Sequence, residues 1–284
     1  MTDAEQRIAL LVIALIACGI AFAVFSAKRT QKRIISFIEP FPADWVAVLQ
    51  KVPLYQRMPE DLRHDLEPLV RQFFTDIEFV GCQGLEITDE MRLTIATQAC
   101  VLVVSHGFDV LSELHSVLVY PTEFVVDESD VDEAGVVTEG SRAISGQTLD
   151  TDKIILSWRD VQEAGQTNDG YNVVLHEFAH YLDHSVGGGL TADQIQTADG
   201  STSTWHEVLD IEYQSLRDAV DRGAATLIDP YGAEDRAEFF AVATETFFEL
   251  PRDLAQHHPA LYSMLRDFYA LDPAAWLSRS AEGQ

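Results

Sequence analysis

Residues 173–184, VVLHEFAHYLDH, set three histidines, a glutamate and an aspartate among strongly apolar neighbours. A buried helix does not tolerate that many polar groups without partners. Leu175, Phe178, Ala179, Leu182 and Val186 recur at i, i+3, i+4, i+7 and i+11, the apolar stripe of an α-helix. His176, Glu177, His180 and His184 fall on the other side. The spacing His176-Glu177-x-x-His180 puts two imidazoles one turn apart, both able to reach a single metal ion, with a glutamate beside it. Such a set suits metal-dependent hydrolysis. The competing reading is a surface helix whose polar face happens to carry histidines.

The rest of the chain bounds that chemistry. Its 284 residues, 47% of them apolar, are enough for one sizeable core in one or two lobes. A formal net charge of −27 argues against a nucleic-acid partner, because a phosphate backbone would be repelled. Lysine occurs only at Lys28, Lys32, Lys51 and Lys153. Cys18, Cys82 and Cys100 form no CxxC pair, which argues against a cysteine zinc site and suits a reducing compartment.

Residues 8–27 carry no charge. At about 1.5 Å per residue they span roughly 30 Å, the thickness of a bilayer core. The basic run KRTQKR (28–33) follows, whereas Asp3, Glu5 and Arg7 precede it. This distribution predicts one transmembrane helix, with the remainder of the chain on the cytoplasmic side of the cell membrane. A cleaved secretory signal, the rival, would begin basic and be shorter. A connector at 28–44, basic and then interrupted by Pro40 and Pro42, leads into a catalytic domain over 45–275.

Within that domain, Trp45–Asp76 reads as short helices punctuated by Pro53 and Pro59. IEFVG (77–81) reads as a strand, and TDEMRLTIATQACVLVVSHG (88–107) as a helix capped by Thr88 and ended by Gly107. SVLVYP (116–121), EFVV (123–126), VVTEG (136–140) and KIILSW (153–158) read as strands. The acidic stretch DESDVDEAG (127–135) lacks the ligand order of an EF-hand and is expected to be a solvated hairpin tip. After residue 160 the pattern is mostly helical. The order predicts an α+β fold with a mixed β-sheet.

Two histidines leave a catalytic zinc one protein ligand short. Asp183, His184 and His206 are candidates, but His184 lies one turn farther along the same helix, where three ligands would strain a tetrahedral site. No histidine stands six residues after His180, so the metzincin pattern fails. The segment DPYGAEDRAEFFAVATETFFELP (229–251) places Glu238, Ala241, Val242, Glu245 and Phe248 on one helical stripe. A carboxylate on such a face demands a partner, and either Glu238 or Glu245 serves.

HEFAHYLD and YGAEDRAEFFAVATETFF resemble the Mlc titration factor A (MtfA) zinc peptidases. So do WVAVLQKVPLYQ, GLEITDEMRLTIATQAC, LVYP, KIILSWRDV and DGYNVVLHE, over roughly residues 45–270. The resemblance implies a zincin-type domain related to the catalytic domain of anthrax lethal factor, with aminopeptidase-like activity on small peptides. In the family a tyrosine precedes the glutamate ligand by seven residues, as Tyr231 precedes Glu238 here. The resemblance therefore selects Glu238 as third ligand and sets Glu245 behind the ligands. One zinc ion would be held by His176, His180 and Glu238, with water in the fourth position. Glu177 would accept that water's proton, and Tyr231 would donate to the oxyanion. Tyr231 also has a plain reading as a turn residue in Asp-Pro-Tyr-Gly. Asp183 would orient a ligand imidazole or simply occupy the helix surface. The stretch 135–148 would be the edge strand beside a peptide or protein substrate. The family name also implies another role: a zincin-fold protein that sequesters a transcriptional regulator.

Overall fold

The computed structural model describes residues 41–122, 124–131, 137–144, 146–150, 152–166, 169–185 and 203–276. The expected membrane helix at 8–27, most of the connector, the tip of the acidic hairpin and Val186 lie outside them. Among the described residues, no helix is long and apolar enough to cross a membrane.

Three helices come first: α1 (Ala43–Leu49), α2 (Pro53–Arg57) and α3 (Glu60–Asp76). Pro53 begins α2 and Pro59 precedes α3, where a missing backbone N–H costs nothing. Leu66, Val70 and Phe73 form the buried stripe of α3. Strand β1 (Glu78–Gly81) leads to α4 (Asp89–Val101). Thr88 Oγ1 accepts the Met91 N–H at 3.2 Å, and Asp89 and Glu90 face the positive end of this helix. The sequence pattern extends α4 to Gly107, but the regular helix ends at Val101. Leu102, Val103 and Val104 turn their N–H groups to carbonyls three residues back.

Strands β2 (Ser116–Tyr120), β3 (Phe124–Val131), β4 (Val137–Ile144), β5 (Gly146–Asp150) and β6 (Lys153–Ser157) follow. The main sheet is mixed, in the order β1-β2-β6-β5. β1, β2 and β6 run parallel, with Phe79 opposite Val117 and Leu118 opposite Ile155, and β5 runs antiparallel to β6. Val117, Val119, Ile154 and Leu156 share one face of the sheet and have no exposed surface, so that face is covered. β3 and β4 form a separate antiparallel ribbon in which Asp127 faces Ser141 and Asp130 faces Thr138. The acidic stretch is therefore largely strand, and 132–136 is its connection.

The predicted substrate edge, 135–148, is not one strand: 137–144 belongs to the ribbon, and the edge of the main sheet is Gly146–Asp150. The sequence pattern missed that edge because GQTLD pairs on one side only and carries little of the apolar alternation of a buried strand.

After β6 come α5 (Trp158–Glu163), α6 (Val173–Ser185), α7 (Ser203–Asp221), a 3-10 turn at Pro230–Ala233, α8 (Arg236–Glu249), α9 (Pro251–His257) and α10 (Pro259–Tyr269). Helix α6 packs on β5, β6, α4 and α8. Its stripe is fully buried at Leu175, Phe178 and Ala179, with the Phe178 ring 5.8 Å from that of Phe73. Helix α8 is buried at every position from Phe239 to Glu249. A helix buried all round lies inside the domain rather than on it. Its polar residues must therefore find partners inside the protein.

Phe178→Ala should cost about 3–5 kcal/mol, since the Phe73 side of the core cannot collapse into the void. Ile211→Ala, at a residue 67% exposed, should stay within about 0.5 kcal/mol. Urea denaturation midpoints distinguish the two.

Candidate metal centre

Helices α6 and α8 cross so that three side chains meet. His176 Nε2 lies 3.1 Å from His180 Nε2 and 3.1 Å from Glu238 Oε2, and His180 Nε2 lies 3.3 Å from the same oxygen. Among the described residues this is the one group of three or more His, Cys, Asp or Glu side chains able to hold an ion. All three side chains are largely buried, at 12%, 14% and 18% exposure.

The triangle fits a metal better than it fits a hydrogen-bond cluster. A tetrahedral zinc with bonds of about 2.0–2.1 Å separates its ligand atoms by about 3.3–3.4 Å. The hydrogen-bond inventory points the same way. His176 Nδ1 lies 2.7 Å from Glu245 Oε1, and the other oxygen of Glu245 accepts the Asn172 backbone N–H. With its proton on Nδ1, His176 turns an Nε2 lone pair towards the lone pairs of Glu238 Oε2. A cation inside the triangle removes that repulsion. Without one, a proton does so: burial works against charge on His176, but Glu238 and Glu245 outweigh it and push its pKa well up. Burial likewise opposes charge on Glu238, yet the two histidines hold its carboxyl far below the usual carboxylate range. Complete burial pushes Glu245 up, against the pull of His176 and the Asn172 amide.

Local chemistry places each group. Asp235 caps α8, its Oδ1 accepting the N–H groups of Ala237 at 2.8 Å and Glu238 at 3.0 Å. That fixes the first turn, from which Glu238 projects. The turn before it is set by Asp229, whose Oδ1 accepts the Tyr231 N–H at 2.8 Å, and by Pro230. Gly232 presses this turn against α8, where a β-carbon would stand 3.3 Å from Phe239 Cα and 3.3 Å from Leu216 Cδ2. Tyr231, 37% exposed, then donates from its hydroxyl to Glu238 Oε1 at 3.0 Å, with its ring 6.0 Å from that of His176. An exposed Arg236–Asp210 pair, 2.7 Å apart, joins α8 to α7.

Glu177 is buried beside the cluster, and its charge helps raise the His176 pKa. Asp183 is also buried, and its charge reaches the Tyr269 hydroxyl, whose pKa is raised chiefly by burial. The carboxylate on His176 Nδ1 is Glu245, not Asp183. His206 is not a member of the cluster. Asn172 precedes α6, and local sequence pattern did not single it out; an asparagine immediately before an apolar-periodic run was the available signal.

Comparison with known proteins settles the family. A profile described as glucose-regulated metallo-peptidase M90 matches residues 26–270. The chain belongs to this metallopeptidase family. It is similar to Mlc titration factor A of Pectobacterium atrosepticum, 34% identical over 236 residues (82% of this chain, 88% of that protein). It is also similar to Mlc titration factor A of Serratia proteamaculans, 34% identical over 240 residues (84% and 90%). An uncharacterized protein of Synechocystis is 36% identical over 240 residues (84% and 87%).

If the triangle holds the metal, Glu245→Gln should weaken affinity by about 10- to 100-fold, and Glu238→Gln should weaken it further. The reverse order in a chelator competition would make Glu245 the ligand. Affinity should also fall with acid, and the fall should begin above the ordinary histidine value of 6.5, because protons compete for a His176 whose pKa is raised.

Proposed function

We propose that this protein is a zinc-dependent, aminopeptidase-like metallopeptidase in which His176, His180 and Glu238 hold one zinc ion and Glu177 is the general base. The observation that carries the reading is the triangle with 3.1, 3.1 and 3.3 Å edges, with a glutamate between its two histidines on one helix. Zinc bound there supplies a Lewis acid that polarises a carbonyl and acidifies a water. Glu177 takes the proton of the attacking water and returns it to the departing amine. Its burial favours this work, because a base shielded from bulk water exchanges the proton within the site rather than with solvent. Tyr231 donates to the developing oxyanion with the hydroxyl that otherwise rests on Glu238 Oε1. Glu245 keeps the His176 proton on Nδ1 and so presents Nε2 to the metal. Part of the ligand set therefore arrives prearranged, which lowers the ordering cost of assembling the site.

The reading extends to a single-pass tether at residues 8–27 with the catalytic part on the cytoplasmic side, supported by the basic run at 28–33. A second reading draws on relatives named Mlc titration factor A. In it, the domain captures a regulatory protein, a role that needs a surface and not Glu177.

The zinc-loaded 284-residue chain and its Glu177→Gln variant, assayed together on chromogenic aminoacyl and peptide substrates, test the reading. The variant should keep its zinc and lose turnover by about 10²–10⁴-fold. Loss of zinc instead would make Glu177 a ligand. Capture of a regulator, if it occurs, should survive the substitution. Tyr231→Phe should lower kcat by about 10²-fold and leave KM nearly unchanged, and an unaltered kcat would return Tyr231 to a turn role.

A further inference from the structure

Asn172, immediately before α6, is 1% exposed and makes five hydrogen bonds. Its Oδ1 accepts the Leu175 N–H at 3.2 Å, the bond that caps the metal-binding helix. Its amide Nδ2 donates to Gln98 Oε1 on α4 and to Glu249 Oε1 at the end of α8, each at 2.8 Å. Its backbone N–H donates to Glu245 Oε2, and its carbonyl accepts the His176 N–H at 3.0 Å. One side chain thus joins the start of α6 to the two helices packed beside it. Glu249 is fixed in turn by Arg57 of α2, whose Nη2 donates to Oε2 at 2.6 Å and whose Nη1 donates to the Glu249 carbonyl at 3.1 Å.

The directions of these bonds matter. The cap needs an acceptor where Oδ1 lies, and Gln98 and Glu249 need donors where Nδ2 lies. Only an amide supplies both on one planar group. A rotation of α6 about its axis would break the bonds on one side of Asn172 or the other. It would also carry His176 Nδ1 away from Glu245, whose other oxygen accepts the Asn172 backbone N–H. Rotation of α6 and orientation of the His176 ring are therefore coupled.

We propose that Asn172 is a positioning residue for the reaction: with Glu249 and Arg57 behind it, it sets the rotation of α6 at which His176, Glu177 and His180 meet Glu238. The proposal rests on the metallopeptidase reading above. It separates Asn172 from an ordinary helix cap, which would stabilise α6 without fixing where its ligands point.

The test uses the full chain loaded with cobalt(II) in place of zinc, so that the absorption of the ion reports ligand geometry apart from turnover. Asn172→Asp keeps the cap acceptor and loses both amide donors, setting a carboxylate against Glu249. It should change the cobalt spectrum and lower kcat by about 10- to 100-fold, with KM little altered. Adding Glu249→Gln reverses donor and acceptor across that contact and keeps its charge at one, and a flip of the Gln98 amide, whose Nε2 otherwise donates to the Thr94 carbonyl at 3.3 Å, turns a donor to the new carboxylate in place of Oε1. The double variant should regain the original spectrum and come back to within about tenfold of the original kcat. If Asn172→Asp does not fold, Asn172→Ser removes both amide donors without adding charge and should show the same spectral change and loss of kcat. A folded Asn172 variant with lowered melting temperature but unchanged spectrum and kcat would overturn the proposal and leave Asn172 a cap. So would a double variant that regains stability but not activity or spectrum. If the unaltered chain takes up no cobalt in the triangle, the metallopeptidase reading itself falls and this proposal with it.

Discussion

The candidate metal centre depends on a carboxylate outside the triangle of His176, His180 and Glu238. Glu245 lies within the buried stretch of α8, Phe239 to Glu249, and accepts from His176 Nδ1 on one oxygen and from the Asn172 backbone on the other. A buried carboxylate without such donors would be costly. With them it locks one helix against another and fixes which nitrogen of His176 faces the triangle. The proton between His176 and Glu245 thus connects the packing of α6 on α8 to the chemistry of the site.

The same logic runs through the surrounding core. Thr97, Gln98, Asn172, Glu177, Thr244, Glu245 and Glu249 are all buried, in a region otherwise built from phenylalanine, leucine and valine. Apolar packing holds the helices together but is non-directional, and it tolerates small rotations. Hydrogen bonds of fixed direction do not. The arrangement therefore combines two kinds of interaction. The Phe73–Phe178 contact and its neighbours supply cohesion, and the polar chain from Arg57 through Glu249 and Asn172 to Glu245 supplies register. Arg57 also supplies positive charge to an interior rich in carboxylates, in a chain whose net charge is −27.

Tyr231 shows a different balance. It is more than a third exposed and stands on a short turn, held by Asp229 below and by the close seat of Gly232 on α8. Its hydroxyl rests on the Glu238 oxygen that does not face the histidines. A group so placed can change partner without disturbing the core, which suits a donor needed at only one stage of a reaction. Glu177, buried on a rigid helix, suits a task that demands fixed placement.

Local pattern already determined several elements. The 3.6-residue stripe of α6, the i, i+4 histidine pair with its glutamate, the Thr88 cap and the parallel strands rich in valine and isoleucine all depend on neighbours a few residues away. They were legible for that reason. Resemblance to a family chose Glu238 over Glu245; spacing did not, because both glutamates lie on one face of α8 and differ only in which turn meets α6. That was decided by the crossing of two helices about sixty residues apart, which brings Glu238 Oε2 to the two Nε2 atoms and Glu245 Oε1 to Nδ1. Tertiary structure alone also decided that β3 and β4 leave the main sheet, that Gly146–Asp150 becomes its edge, and that Asn172 meets Gln98 and Glu249. The physical reason is common to all three: pairing of strand edges and burial of polar side chains are settled by distant partners, which a reading of local sequence does not contain.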